Sequence, residues 1–200
     1  MDAPIIDLCF QKGKTLDFAL QYASEKFAYV PITGVPSLAP VRLTVVGHGL
    51  PDGWPFDVES VKKPSDLNGE NYIATVIDDD TVEINDLVGS SWRHMWSAGG
   101  VVKYLIPQDI TGWSARAMFR RNIHDNSPVL TFHSDGGENP DGQFVVDPSE
   151  HSFTLLLPES VSKSLKPMCG VWDAEVIDPN GAVYALVGLS PFEITDEATR

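Results

Sequence analysis

Short runs in which apolar and polar residues alternate with a period of two recur along the chain, and 16 glycines and 15 prolines are scattered between them. Such alternation sends successive side chains to opposite faces of a strand. Frequent Gly and Pro interrupt regular structure before a helix of useful length can form. The pattern predicts an all-β protein built from many short strands.

The first clear strand is Thr15-Leu16-Asp17-Phe18-Ala19-Leu20-Gln21-Tyr22, with Leu16, Phe18, Leu20 and Tyr22 on one face. Pro31, Pro36 and Pro40 follow within eleven residues. They remove backbone donors and fix φ, so residues 30–40 read as a connection through which no central strand passes. Strands are then expected over residues 41–46, 56–61, 71–77, 81–84 and 101–105, with a turn at Gly47–Gly53 and a tight hairpin turn at Asp78-Asp79-Asp80. A second Pro-containing junction, 106–112, leads to residues 113–120, where Trp113, Ala115, Ala117 and Phe119 alternate with outward-facing Arg116 and Arg120. Further strands are expected over 129–133, 143–146, 152–157, 171–177 and 183–187 at the spacing of a β-sandwich. One short helical turn is expected over 158–164, with Pro158 in the first helical position.

A single strand before Val41 is too little for a domain of its own. It is best assigned to the C-terminal strands, giving a discontinuous sandwich of residues 1–34 plus 107–200. Residues 35–106 form an inserted small β-barrel or β-sandwich module.

Certain positions carry a family resemblance. Gln11-Lys12-Gly13-Lys14 before a strand, Asp109-Ile110-Thr111-Gly112-Trp113 leading to Arg120-Arg121, Val171-Trp172-Asp173-Ala174-Glu175-Val176 and Asp178-Pro179-Asn180-Gly181 resemble the immunoglobulin-like N-terminal domain of phage baseplate upper proteins and related tail proteins. Gly188, Phe192-Glu193-Ile194-Thr195 and the final Thr199-Arg200 match the ending of stand-alone members, which implies a complete chain. The insertion resembles a recurrent phage module similar to the first catalytic-cysteine half-domain of ubiquitin-activating enzymes. That likeness rests on Gly47-His48-Gly49-Leu50, Leu67-Asn68-Gly69-Glu70-Asn71-Tyr72, Asp78–Thr81 and Ser97-Ala98-Gly99-Gly100-Val101. It departs from the module at Pro51-Asp52-Gly53-Trp54-Pro55-Phe56. Residues 35–106 contain no cysteine, so the resemblance implies a β module without ubiquitin chemistry. Together the two likenesses imply a tailed-phage virion protein of the tail, baseplate, collar or fibre-attachment apparatus. Its expected partners are other virion proteins and copies of itself, and its expected location is the virion, assembled in the host cytoplasm.

Composition bears on function separately. Fourteen Lys+Arg against 28 Asp+Glu give a formal charge of −14, the wrong sign for a protein that neutralises phosphates, so no nucleic-acid partner is expected. No apolar run reaches the ~18 to 20 residues that span a bilayer, and Met1-Asp2-Ala3-Pro4 lacks the start of a signal peptide; no membrane insertion is expected. Cys9 and Cys169 lack metal-ligand spacing and read as two buried, reduced thiols, with a disulfide as the alternative.

No GxSxG elbow, P-loop or GxGxxG motif is present. No catalytic, cofactor-binding or metal-binding residue is therefore nominated, and the chain is expected not to be an enzyme. His48 reads as a turn residue, and His124, His133 and His151 fall near strand ends without ligand spacing. Residues 135–142 read as an acidic hairpin loop, with a surface Ca²⁺ site as the alternative. In Trp92-Arg93-His94-Met95-Trp96, a period of two sends Trp92, His94 and Trp96 to one face, read as core packing or as a contact face. Exposed, that face would suit a protein partner or the sugar rings of a carbohydrate-binding receptor module.

Overall fold

The computed structural model describes residues 3–136 and 140–196, and it is built almost wholly of strands. Two strands open the chain, β1 (Leu8–Gln11) and β2 (Leu16–Gln21). Seven follow: β3 (Ala23–Pro31), β4 (Gly34–Leu38), β5 (Val41–Thr44), β6 (Pro55–Lys63), β7 (Gly69–Asp78), β8 (Thr81–Ile84) and β9 (Ala98–Pro107). Six more complete the chain: β10 (Ser114–Arg120), β11 (Leu130–His133), β12 (Gly142–Asp147), β13 (Ser152–Leu157), β14 (Met168–Ile177) and β15 (Val183–Thr195). The one α-helical turn among the described residues, α1 (Glu159–Ser162), follows Pro158, which sits at its N-cap in extended conformation and not inside the helix.

The fold is all-β, and the chain divides into two compact units: residues 1–22 with 109–200, and residues 23–108. In the first, the strand order is β1-β15-β14-β10-β11-β12-β13-β2. Assigning β1 to A, β2 to B, β10 to C and β11 through β15 to the strands after it gives the order of an immunoglobulin-type sandwich, interrupted between B and C. The chain changes edges at its start: β1 runs parallel to β15, whereas β2 pairs antiparallel with β13. The crossing is made at Lys12–Thr15, where Gly13 takes a φ of 75°, a conformation Gly adopts without Cβ strain. Trp172, fully buried, stacks at 5.2 Å on Phe119, its cross-strand partner on β10. Phe119 also meets Phe132 and Phe192, so four aromatic rings from four strands form the centre of this core. Ala115 and Ala117 are buried as the alternation requires, while Trp113 lies just before the strand and is only half-buried.

In the second unit the order is β3-β9-β6-β7-β8-β5-β4. The expected connection over residues 30–40 is in fact the end of β3 and all of β4. The proline argument holds in its stricter form. Both strands end the sheet order, Pro31 closes β3, and Pro36 sits in the register shift between Gly34 and Ser37. Proline is tolerated at edges and bulges because no ladder donor is needed there. From β3 to β4 the chain is a nearly continuous run whose first part pairs with β9 and whose last part pairs with β5. Ile32 N–H donates to Gly100 O (3.0 Å) and Thr33 N–H to Thr44 O (2.8 Å), so this one run joins both ends of the sheet and curls it into a barrel. Its core is formed by Val41, Leu43, Trp54, Phe56, Leu67, Val82, Ile84 and Val102.

Because β3 pairs with β9, residues 23–34 belong to the inserted unit and not to the sandwich, and the boundary falls earlier than proline content suggested. The insertion enters and leaves at Ala23 and Pro107, which are cross-strand partners. At Pro51–Phe56, where the sequence departs from the module it resembles, Trp54 is buried and its indole N–H donates to Leu105 O (2.9 Å).

Candidate contact face on the inserted unit

The Trp92–Trp96 segment is not a strand. It lies in a loop, Asn85–Ser97, between β8 and β9. Both ends are tied to the barrel: Val41 N–H donates to Leu87 O (3.0 Å), Gly89 N–H to Leu38 O (2.7 Å) and Ser97 N–H to Lys63 O (3.3 Å). Trp92 and Trp96 are half-buried against the barrel core. Trp92 lies over Gly89 so closely that a Cβ there would come within 2.6 Å of the ring. The Trp96 indole N–H donates to Gly99 O at 3.0 Å.

His94 is exposed and does not share the packing of the two indoles. The period-two reading fails because a loop has no pleat to impose it. Core packing is partly realised, since each indole is half sunk, and the loop between them presents Arg93, His94 and Met95 to the outside, the last 73% exposed. Val88, 58% exposed, extends the same loop. The glycines and serines at 89–91 and 97–100 are the sequence signal that could have marked it.

His48 is buried and fully engaged. Leu50 N–H donates to its Nδ1 (3.0 Å), its Nε2 lies 3.0 Å from Asp78 O, and the Tyr104 hydroxyl donates to its carbonyl. The acidic turn is satisfied by backbone donors: Asp78 Oδ1 accepts from Asp80 N–H (2.9 Å) and Asp80 Oδ1 from Gly47 N–H (2.8 Å). Hydrogen bonds to its own carboxylate, from Asp80 N–H first and from Thr81 next, hold Asp78 below the usual carboxylate range. The cluster therefore clamps the Gly47–Gly53 turn to the β7–β8 turn.

Cys9 and Cys169 are exposed, which corrects the expectation of buried thiols. Each lies opposite Glu193, one on either side of β15. Both face outward because their strand neighbours Leu8, Phe10 and Met168 take the core-facing positions. Two strand spacings of ~4.8 Å separate them, beyond the reach of a disulfide. In the acidic segment 135–142, Gly137, Glu138 and Asn139 lie outside the described residues. Asp141 there accepts from Thr131 N–H (2.9 Å) and the Thr131 hydroxyl (3.2 Å). Thr199 and Arg200 also lie outside the described residues. Among those described, no group of three or more His, Cys, Asp or Glu residues is arranged to hold a metal ion, and every buried side-chain N or O has a partner.

On the outer face of β10 and β14, Arg116 donates twice to Glu175 (2.8 and 2.6 Å). Asp173 stands beside them in an open depression of about 290 Å³, lined also by Met118 and Arg120. Loss of hydration raises the Asp173 carboxyl above its ordinary range, and Glu175 adds to this. No family model matches the chain, and no curated protein matches it. No helix among the described residues is long and apolar enough to cross a membrane.

Proposed function

We propose that the chain is a non-enzymatic structural component of a tailed-phage virion, in the tail, baseplate, collar or fibre-attachment apparatus, acting by docking to other proteins. The observation that carries this reading is the interruption of an immunoglobulin-type strand order by a complete barrel, the organisation that the two family resemblances imply. Large apolar side chains on outer positions support it. Phe27 and Tyr29 stand 48% and 59% exposed on the end strand β3, and Val183 and Tyr184 stand 51% and 45% exposed at the start of β15. Exposed aromatic and aliphatic groups of this kind suit docking to neighbouring subunits, where symmetry multiplies weak contacts. Mass spectrometry of nuclease-washed particles tests the proposal: a fixed copy number per particle is expected, and absence of the chain defeats it.

A carbohydrate-binding receptor module is the second reading, favoured by two half-exposed indoles on one loop. Specific signal on a glycan array that disappears in Trp92→Ala or Trp96→Ala, in variants that keep the wild-type melting curve, would select it.

A further inference from the structure

The Asn85–Ser97 loop differs from the rest of the molecule in charge as well as in exposure. From Leu87 to Gln108 the sequence has no Asp or Glu, although 28 of its 200 residues are acidic. Lys63 is brought beside this segment by pairing with Ala98 and by accepting from Ser97 N–H, and Lys62 adjoins it on the same strand end. Lys62, Lys63 and Arg93 form no ion pair with a described residue. Elsewhere on the barrel, Arg42 is held by Glu83, and Lys103 by Asp57 and Glu59.

Three cations without an ion-pair partner among the described residues thus accompany the exposed Met95 and Val88 and the half-exposed indoles of Trp92 and Trp96. Trp, Met and Arg are residue types enriched in the cores of protein interfaces, while lysines suit the charged rim, where they meet opposite charge on a partner. The loop is also tied down at both ends, so little conformational freedom would be lost on docking. What it lacks is negative charge. The sandwich of a second copy supplies that: residues 1–22 and 109–200 hold 17 Asp+Glu against 8 Lys+Arg.

We infer that this face of the barrel is a self-association surface that docks on the acidic sandwich of another copy of the chain. Different surfaces meet, so the contact is heterologous and generates a ring or an open filament. The inference builds on the reading of the chain as an assembly component, but it is tested on the purified protein alone.

Sedimentation velocity of the full chain across a concentration series is the first measurement. Concentration-dependent association is expected at low salt, weakening at least tenfold at about 0.5 M salt, where charges are screened within a few ångströms. Lys62→Glu/Lys63→Glu/Arg93→Glu should remain monomeric while keeping the wild-type melting curve. Met95→Asp, at a side chain outside the core, should weaken association at least fivefold and guards against misfolding of the triple variant. Carbodiimide cross-linking of a mixture of isotope-labelled and unlabelled chain should join Lys62 or Lys63 of one copy to carboxylates within 1–22 or 109–200 of another.

A chain that stays monomeric at its highest soluble concentration overturns the inference. So does association indifferent to both variants, and so does binding only to an acidic polysaccharide or to anionic vesicles. None of these outcomes removes the chain from a virion, which particle mass spectrometry decides separately.

Discussion

At His48 an amide N–H faces Nδ1, and an amide nitrogen can only donate, so Nδ1 accepts and the ring proton sits on Nε2 against Asp78 O. One imidazole thereby joins two turns that lie thirty residues apart. His48→Ala is expected to cost about 1–3 kcal/mol, since it leaves a buried amide without its acceptor; the urea midpoint of the barrel, followed by Trp fluorescence, checks this. Two carboxylates should give opposite pH signatures. Asp78 has a folded-state pKa below its ordinary value, so its contribution is present above the ordinary value and is lost as pH falls through the lower one. Asp173 is raised, so its contribution is present below the ordinary value and is lost as pH rises through the folded one. Asp78→Asn should therefore flatten the acid limb of a stability profile, whereas Asp173→Asn should raise stability at neutral pH. Urea midpoints measured from about pH 3 to pH 7 separate the two. The sequence marked Asp78 as a turn residue; Asp173 stood out only within a motif of resemblance, not for its charge environment, because its neighbours Arg116 and Arg120 lie on a strand more than fifty residues away.

Among the elements, strands apolar on one face only were legible, whether inside a sheet or, like β2, at its end, and strands that were very short or apolar on both faces were not. Leu16, Phe18 and Leu20 on β2, and Ala115, Ala117 and Phe119 on β10, alternate because one side of each faces a core. On β3, Phe27 and Tyr29 point outward while Ala28 and Val30 point in, so an end strand with apolar groups on both faces shows no contrast for alternation to reveal. β1 is four residues long, too short to establish a period. The Trp92–Trp96 loop misled in the other direction, since its spacing imitated a strand between glycine-rich flanks. Where alternation was genuine, energetic weight follows it. Phe119, in contact with the rings of Phe132, Trp172 and Phe192, should cost about 3–5 kcal/mol when replaced by Ala. Denaturant unfolding of Phe119→Ala, read by far-ultraviolet dichroism and by the amide resonances of β10 and β14 in NMR, gives that number.

For the whole molecule, the decisive feature is the pairing of Ala23 with Pro107. Residues that far apart in sequence would ordinarily burden the sandwich with a long loop closure, on the order of 4 kcal/mol by chain statistics. The barrel's own ladder brings them together, so the sandwich meets its insertion as it would meet a hairpin turn. Replacing residues 23–108 by a short Gly-Ser link between Tyr22 and Asp109 is therefore expected to leave a cooperatively melting sandwich, checked by calorimetry and amide dispersion in NMR. Such a connection works as a socket. Any folded module whose first and last residues are ladder neighbours could occupy the same gap without the sandwich having to change its sequence, and this chain's barrel is one cartridge among those the gap would accept.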